Sequence, residues 1–92
     1  MDGWFTFTGG TCFFGCSASL RGAWANYGTQ TANGVVAVLT WWKGSSVVQQ
    51  NIINVGTLAG KDIELYPSGT ETYHSITLSD SVDSLTWTFD WT

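Results

Sequence analysis

The chain has few charged residues, and cationic residues are the scarcest. Only 11% of its 92 residues are charged, with three Lys or Arg against seven Asp or Glu, and the formal net charge at pH 7 is −4. Binding to nucleic acid and attraction to anionic lipid headgroups both depend on clustered cations. The composition therefore predicts no nucleic-acid partner and argues against electrostatic contact with a membrane.

Long apolar runs are also missing, and none approaches the roughly 18 residues of a membrane-spanning helix. Met1 is followed directly by Asp2, so we expect no signal peptide within these residues. Low charge combined with abundant Thr, Ser, Gly and Asn is typical of extracellular β-domains. We therefore expect an extracellular or cell-surface location.

Cysteine and histidine are too few for a metal centre. Two Cys and the single His74 do not complete the four ligands of a zinc site, so we expect no metal and no cofactor. An extended chain would hold Cys12 and Cys16 roughly 13 Å apart, beyond the reach of a disulfide. A turn at Gly15 would bring them together, so a local disulfide and two buried free thiols both remain open.

Aromatic residues are abundant, and the last eight residues arrange them with a strict period of two. Large apolar residues at 85, 87, 89 and 91 alternate with Thr or Asp at 86, 88, 90 and 92. This alternation predicts a half-buried β-strand. Similar patterns, separated by Gly, Asn and Pro turn signals, predict six further strands. The seven predicted strands cover residues 4–8, 17–27, 35–43, 47–55, 62–66, 71–78 and 85–92.

Seven short strands without helical periodicity predict one all-β domain over residues 1–92, an antiparallel immunoglobulin-like sandwich. Residues 1–16 are expected to supply an N-terminal strand and a cover. Asn33-Gly34 and Gly44-Ser45-Ser46 have the chemistry of tight turns. The predicted core consists of Trp24, Val35, Leu39, Trp41, Ile53, Leu65, Ile76, Leu85, Trp87, Phe89 and Trp91.

Three segments occur in an order that resembles a known family. A strand over residues 20–28 reaches an Asn-x-Gly turn, residues 32–39 rise into a Val-rich strand, and residues 55–61 contain Gly-x-Leu-x-x-Gly-like spacing after a hairpin. This order is similar to that of the CARDB and FxLYD modules of bacteria and archaea. The resemblance runs from Leu20 to the C-terminus and implies an immunoglobulin-like sandwich that is a non-catalytic part of an exported or cell-surface protein.

The titratable residues give little support to catalysis. His74 shares a predicted strand face with apolar residues, which favours a structural role. Asp62 and Glu64 share a strand face, as a glycosidase pair would, yet a solvated outer face explains them equally well. Asp80 and Asp83 flank a Ser-rich loop but fall short of the six to eight oxygens of a calcium site. We therefore expect no enzymatic activity.

Trp41-Trp42 is the most informative pair in the chain. Adjacent residues on a strand point to opposite faces, so Trp41 is expected in the core and Trp42 outside, beside Val36 and Val38. Such an apolar patch on a small domain marks a partner or ligand site. The competing interpretation is that the aromatic N-terminal segment 4–16 folds over this patch.

The expected function is that of a non-enzymatic interaction or structural module. It would bind a protein partner or its own copies through Trp42, Val36 and Val38, by face packing or by pairing of strand edges. One alternative is a carbohydrate-binding module that stacks sugars on a surface Trp. A small secreted inhibitor or toxin is a third.

Overall fold

The computed structural model describes residues 1–10, 16–66 and 74–92, and this part of the chain is all β, without a helix. Seven strands follow one another where seven were predicted, with bounds that differ by a few residues. The predicted turn over residues 67–69 and the start of the predicted sixth strand, residues 71–73, lie outside the described residues. The strands are β1 (Asp2–Gly9), β2 (Ser17–Ala25), β3 (Ala32–Lys43), β4 (Ser46–Leu58), β5 (Ile63–Tyr66), β6 (His74–Thr77) and β7 (Ser84–Asp90).

The strands form two antiparallel sheets that face each other in a sandwich-like arrangement. In sheet A, β1 pairs with one side of β2, while β5 and β6 pair with successive parts of its other side. In sheet B, β3 lies between β4 and β7. β3 is therefore the central strand that its apolar sequence predicted.

A tight hairpin joins β3 to β4. Lys43 pairs with Ser46 across a turn whose first residue, Gly44, has a φ of 60°. A two-residue turn with positive φ matches the right-handed twist of the two strands, and glycine adopts this conformation without steric cost. The sequence predicted this turn at this position, and it places β4 beside β3 over most of its length.

The core lies between the two sheets, and among the described residues β3 contributes three of the five largest fully buried side chains. The alternating set that the sequence assigned to the core from β3, Val35, Leu39 and Trp41, is fully buried, as are Leu20 and Leu58 from other strands. Trp24 and Ile76 are also buried as predicted. The predicted core residues Ile53, Leu85, Trp87 and Phe89 are partly buried and pack against this cluster. Leu65 was predicted in the core, but its side chain lies outside the described residues.

Trp91 corrects the predicted core, because its side chain is 47% exposed. β7 ends at Asp90, one residue before it. Phe89 lies directly opposite Gly3, near the beginning of β1. β1 therefore begins at this level of the sandwich. Trp91, the next residue to point toward sheet A, lies beyond the beginning of β1 and is not covered by it. Alternation predicted the side to which Trp91 points, but not that the opposite sheet stops short.

Candidate functional site

The outer face of sheet B, meaning the face turned away from sheet A, carries the three residues singled out in the sequence. Val36, Val38 and Trp42 alternate with the buried residues of β3, and all three are half-buried. β3 therefore places alternate residues on its inner and outer faces, as the sequence pattern predicted. Whether this face binds anything is a separate question, which depends on what surrounds it.

Neighbouring strands extend the apolar surface toward β4. Val38 lies opposite Ile52 on β4 and Thr88 on β7, while Trp42 lies opposite Val47. The side chains of Ile52 and Val47 are 66% and 53% exposed. Sequence reasoning missed both residues. The usable signal was the pair Ile52-Ile53, because adjacent residues on a strand must point to opposite faces.

Polar groups on this outer face are paired with one another. The Trp42 indole Nε1 donates to Thr86 Oγ1 at 2.8 Å, and Gln50 Nε2 donates to Thr40 Oγ1 at 3.1 Å. These bonds hold the Trp42 ring and the Gln50 amide against the sheet. The face thus offers aliphatic side chains between polar groups that already have partners.

The described part of the N-terminal segment does not cover this face. β1 belongs to sheet A, and its two phenylalanines point into the core. The ring centroids of Phe5 and Trp87 are 5.2 Å apart, and those of Phe7 and Trp41 are also 5.2 Å apart, both in edge-on geometry. The predicted cover over Trp42 is therefore wrong for residues 4–10. Residues 11–15 lie outside the described residues.

The edge formed by β4 is the second feature of this site. β4 has 13 residues and, among the described strands, pairs only with β3. The sequence from Gly44 to Gly60 contains no charged residue and no proline. Natural edge strands are usually protected by charge, proline or short length, because their free N–H and C=O groups pair readily with another chain. β4 has none of these three protections.

Both ends of the β4 edge are closed, which leaves a defined open run. Ser79 Oγ donates to the carbonyl of Val48 at 3.5 Å, and the Ser79 N–H donates to Gln49 Oε1 at 2.9 Å. At the other end, the register with β3 slips by one residue at Val55, and Gly56 has a φ of 85°. Such a bulge bends a strand and interrupts its pairing. Among the residues that the structure describes, nothing pairs with or covers the regular part of the β4 edge over residues 50–54.

A groove of about 480 Å³ lies at one end of the sandwich, away from the β4 edge. The β2–β3 loop forms one wall, and the end of the chain after β7 forms another. None of its lining side chains is charged, and the half-exposed indole of Trp91 is the largest of them. The lining residues are Met1, Asn26, Gly28, Thr29, Gln30, Thr31, Ala32, Trp91 and Thr92.

The buried Asn26 gives the groove its shape. Its Nδ2 donates to the carbonyls of Gln30 at 2.8 Å and of Leu58 at 3.2 Å, and its Oδ1 accepts the N–H of Gly28 at 3.0 Å. Asn side chains form such bonds to the backbone of turns readily, and the Asn-x-Gly turn noted in the sequence begins at this residue. These hydrogen bonds hold the β2–β3 loop in one conformation above the end of β4.

Histidine and the predicted carboxylate pair are not assembled into a catalytic group. Glu64 accepts a long bond from the Trp24 indole at 3.4 Å, while Asp62 lies just before β5 and accepts the N–H of Ile63 at 3.0 Å. His74 is exposed, and its ring stands edge-on to Tyr66 at 5.7 Å. Partial burial raises the pKa of the Tyr66 hydroxyl above its usual value of 10.0. Neither arrangement provides a general acid and base aimed at a common point.

The Ser-rich loop uses its two Asp residues for structure. Asp83 Oδ2 accepts the N–H of Gly44 at 2.8 Å. Asp80 accepts the N–H of Ser81 and forms an ion pair with Lys43, with 3.3 Å between Nζ and Oδ2. The Ser81 hydrogen bond, followed by Lys43, lowers the pKa of Asp80. The described residues contain no group of three or more metal-ligand side chains.

The two cysteines can be placed only in part. Cys16 is disulfide-bonded and half-buried. Cys12, the chain's other cysteine, lies outside the described residues. The predicted alternative of two free thiols is therefore wrong for Cys16, while the local disulfide with Cys12 stays a prediction.

Comparisons with known proteins gave no relative from which a function could be transferred. No protein-family model matches the chain, and neither curated proteins nor solved structures gave a match. The resemblance to CARDB and FxLYD modules, with the immunoglobulin-like topology that it implies, stays a prediction. Within the ranges that the structure covers, no helix has the length and apolar character of a membrane span.

Proposed function

We propose that this chain is a non-enzymatic association module that pairs with a second copy of itself along the β4 edge. One observation carries the proposal, namely the uncharged 13-residue edge strand whose residues 50–54 are open to another strand. In this arrangement two three-stranded sheets would join into one six-stranded sheet. A partner protein of different sequence would use the same edge.

The geometry of antiparallel pairing restricts the register of such a dimer. A two-fold axis perpendicular to a continuous sheet keeps corresponding faces on the same side, so outward residues must pair with outward residues. The open run 50–54 has outward side chains at Gln50, Ile52 and Asn54, and Ile52 is its midpoint. Placing the axis at Ile52 uses the whole run. Any shift of the axis leaves part of it unpaired.

The side chains are self-complementary in this register. Ile52 would meet Ile52 of the second copy, and Gln50 would lie opposite the second copy's Asn54, so that two amide pairs flank an apolar centre. Val38 adjoins Ile52 on the outer face. The row Val38–Ile52 would continue into the same row of the second copy. Cross-strand aliphatic and amide pairs stabilise a sheet by roughly 0.2–1 kcal/mol each.

Charge distribution also supports pairing at this edge. Each copy carries a formal charge of −4, which opposes self-association in general. The sequence between Lys43 and Lys61 has no charged residue, so copies that meet at β4 bring no carboxylate into direct contact. By contrast, β5 carries Glu64 and β7 carries Asp90. Repulsion between copies is therefore weaker at β4 than at β5 or β7.

Trp42 and Val36 have a secondary place in this proposal. They lie on β3, one strand away from the paired edge, and in rows other than that of Ile52. The sequence predicted Trp42 as the centre of the contact, whereas the β4 edge supports Ile52. Trp42 would remain available on the outer face of the six-stranded sheet.

The proposed contact is small, because five residues of each copy take part. Interfaces well below the standard size of about 1,600 Å² belong to weak or transient complexes. We therefore expect a dimer that dissociates on dilution. An extracellular or cell-surface location is part of the proposal, and the disulfide at Cys16 supports it, because disulfides persist in oxidising compartments.

Cysteine crosslinking tests the register. With the axis at Ile52, the two Cα atoms of an Ile52→Cys dimer lie roughly 4.5–5.5 Å apart, within the range that a disulfide tolerates. In Gln50→Cys the two cysteines lie roughly 13 Å apart along the strand and cannot be joined. We expect mild oxidation to produce a covalent dimer of Ile52→Cys alone. Trypsin should then release the linked peptides 44–61, because Lys43 and Lys61 flank β4.

Sedimentation velocity tests the association itself. The wild-type mass should rise with concentration over about 10 µM to 1 mM, the range of weak complexes. Ile52→Lys should stay monomeric, whereas Thr88→Lys, in the same row on the opposite edge of sheet B, should associate like wild type. A wild type that stays monomeric throughout would overturn the proposal. Equal crosslinking of Ile52→Cys and Gln50→Cys would overturn the register.

A further inference from the structure

We infer that the groove between the β2–β3 loop and the end of β7 binds a neutral saccharide, with Trp91 as its stacking surface. This site is separate from the β4 edge, and the inference does not depend on the proposed association. It rests on an exposed indole, unpaired polar side chains and the absence of charge, all in one concave surface.

The exposure of Trp91 suggests a ligand because its position is fixed. Thr92 and Asn33 exchange backbone hydrogen bonds of 2.9 and 3.4 Å, and Thr92 Oγ1 donates to the carbonyl of Asn33 at 3.2 Å. These bonds fix Thr92, the residue after Trp91. The residues before Trp91 are fixed by their place in β7. A rigid aromatic surface that is already in place loses little conformational entropy on binding. The indole is 47% exposed and lies beside a groove, so a ligand can reach it.

A flat indole suits a sugar because one face of a pyranose ring carries only C–H groups. That face packs on an aromatic ring, while the hydroxyl groups project sideways to hydrogen-bond partners. Thr29, Gln30 and Thr31 supply such partners on the opposite wall of the groove. Their side chains are exposed and form no hydrogen bond within the described part of the chain. Both halves of sugar recognition are therefore present.

The lining also selects against charged ligands. No charged side chain lines the groove, and Lys61, which is not among the lining residues, donates from Nζ to the carbonyl of Tyr27 at 2.9 Å. A phosphate or a uronic acid would meet no cationic side chain there, and the net charge of −4 would repel it. The volume of about 480 Å³ lies within the usual range of small-molecule sites and suits one or two sugar rings.

Trp91 is a better stacking residue than Trp42, which the sequence put forward for this role. Trp42 lies on the outer face of sheet B, and its indole N–H is bonded to Thr86. Trp91 has both the exposure and the concave surroundings. The predicted carbohydrate alternative therefore moves from the outer face of sheet B to the end of the sandwich.

Titration with neutral oligosaccharides tests the inference. The probes are cellotetraose, mannotetraose and chitotetraose, with tetragalacturonate as the charged comparison, followed by tryptophan fluorescence and by isothermal calorimetry. We expect at least one neutral probe to bind and tetragalacturonate not to bind. Trp91→Ala should weaken binding by at least roughly tenfold. Trp91→Phe should recover part of it, because the ring surface is retained.

Matched variants keep the test decisive. Trp4→Ala removes an indole that is 46% exposed but lies outside the groove, and it should bind like wild type. Thr31→Phe places a large side chain in the groove while Trp91 is retained, and it should abolish binding even if Trp91→Ala fails to fold. The inference is overturned if none of the neutral probes binds at millimolar concentration. It is equally overturned if Trp42→Ala abolishes binding while Trp91→Ala does not.

Discussion

Trp41 and Trp42 are neighbours in the sequence but belong to opposite faces of sheet B. Trp41 is completely buried, stands edge-on to Phe7 and donates from Nε1 to Asn51 Oδ1 at 3.0 Å. Trp42 is half-buried and donates from Nε1 to Thr86 Oγ1 at 2.8 Å. Both indoles have a hydrogen-bond partner, so the bond itself does not separate them. The difference is that sheet A covers one and not the other.

This difference shows how one strand serves two purposes. The inner face of β3 stabilises the fold, because each buried side chain there is removed from water on every side. The outer face, including Ile52 across the strand boundary, contributes less to stability and is available for contacts. Substitutions on the inner face should therefore change the free energy of unfolding, while those on the outer face should change it less and should change association only at the β4 edge.

The largest expected effect is that of Trp41→Ala. Removing a fully buried Trp side chain leaves a cavity between the sheets and costs about 3–5 kcal/mol of unfolding free energy. Urea unfolding, monitored by circular dichroism, measures this loss of unfolding free energy. Trp42→Ala is the matched control and should cost less than about 1.5 kcal/mol, because its ring remains accessible to water. Similar losses in the two variants would contradict the assignment of the faces.

Asn51 offers a finer probe of the inner face. Its Oδ1 accepts the Trp41 indole at 3.0 Å and the Gln49 amide at 2.8 Å. Asn51→Leu leaves a buried N–H without an acceptor, and we expect a loss of about 1–3 kcal/mol. Asn54→Leu on the outer face of the same strand is the control and should be nearly neutral. A neutral Asn51→Leu would mean that water reaches the Trp41 nitrogen.

The division between Trp41 and Trp42 was predictable from the sequence, because it depends only on local alternation. The seven strands and the Gly44 turn were predictable for the same reason. Each of these features is decided by residues that are close together in the chain. The turn at Gly44 even fixed the pairing of β3 with β4.

Features that depend on a distant segment were not predictable. Alternation placed Trp91 on the inner side of β7, but its exposure depends on where β1 begins, almost the whole chain away. The exposure of Ile52 depends on β4 being an edge strand, which is a property of the sheet order. The groove exists because the β2–β3 loop and the end of the chain meet. A single sequence does not reveal contacts between segments that are far apart in the chain.

Loss of the Trp42–Thr86 hydrogen bond should have a smaller effect on the free energy of unfolding. Trp42→Phe keeps an aromatic ring on the outer face but removes the N–H donor, and should cost less than about 1 kcal/mol because water replaces the lost partner. Thr86→Val should cost a similar amount, and the double variant little more than either. Chemical unfolding of the four proteins measures the coupling. Additive losses would mean that the bond contributes nothing to stability.

The smallest effect is expected at Asp80, beside the Lys43 end of β3. The Ser81 N–H and then Lys43 hold the pKa of this carboxylate below its usual value of 3.8. The folded state therefore favours the charged form, and the resulting stabilisation is present above pH 3.8 and is lost as the pH falls through the lower folded pKa. Asp80→Asn should accordingly remove this small stabilisation at neutral pH while leaving the stability in acid almost unchanged, and so flatten the acid side of the stability profile.

Urea unfolding at pH 6 and at about pH 2.5, in wild type and Asp80→Asn, measures this contribution. The Lys43 and Asp80 side chains are 56% and 55% exposed, so added salt should reduce the difference further. Lys43→Met tests which partner matters. Because the Ser81 hydrogen bond is the larger cause, Lys43→Met should retain most of the acid dependence. If Lys43→Met removes it completely, the ion pair and not the loop backbone holds Asp80 in its charged form.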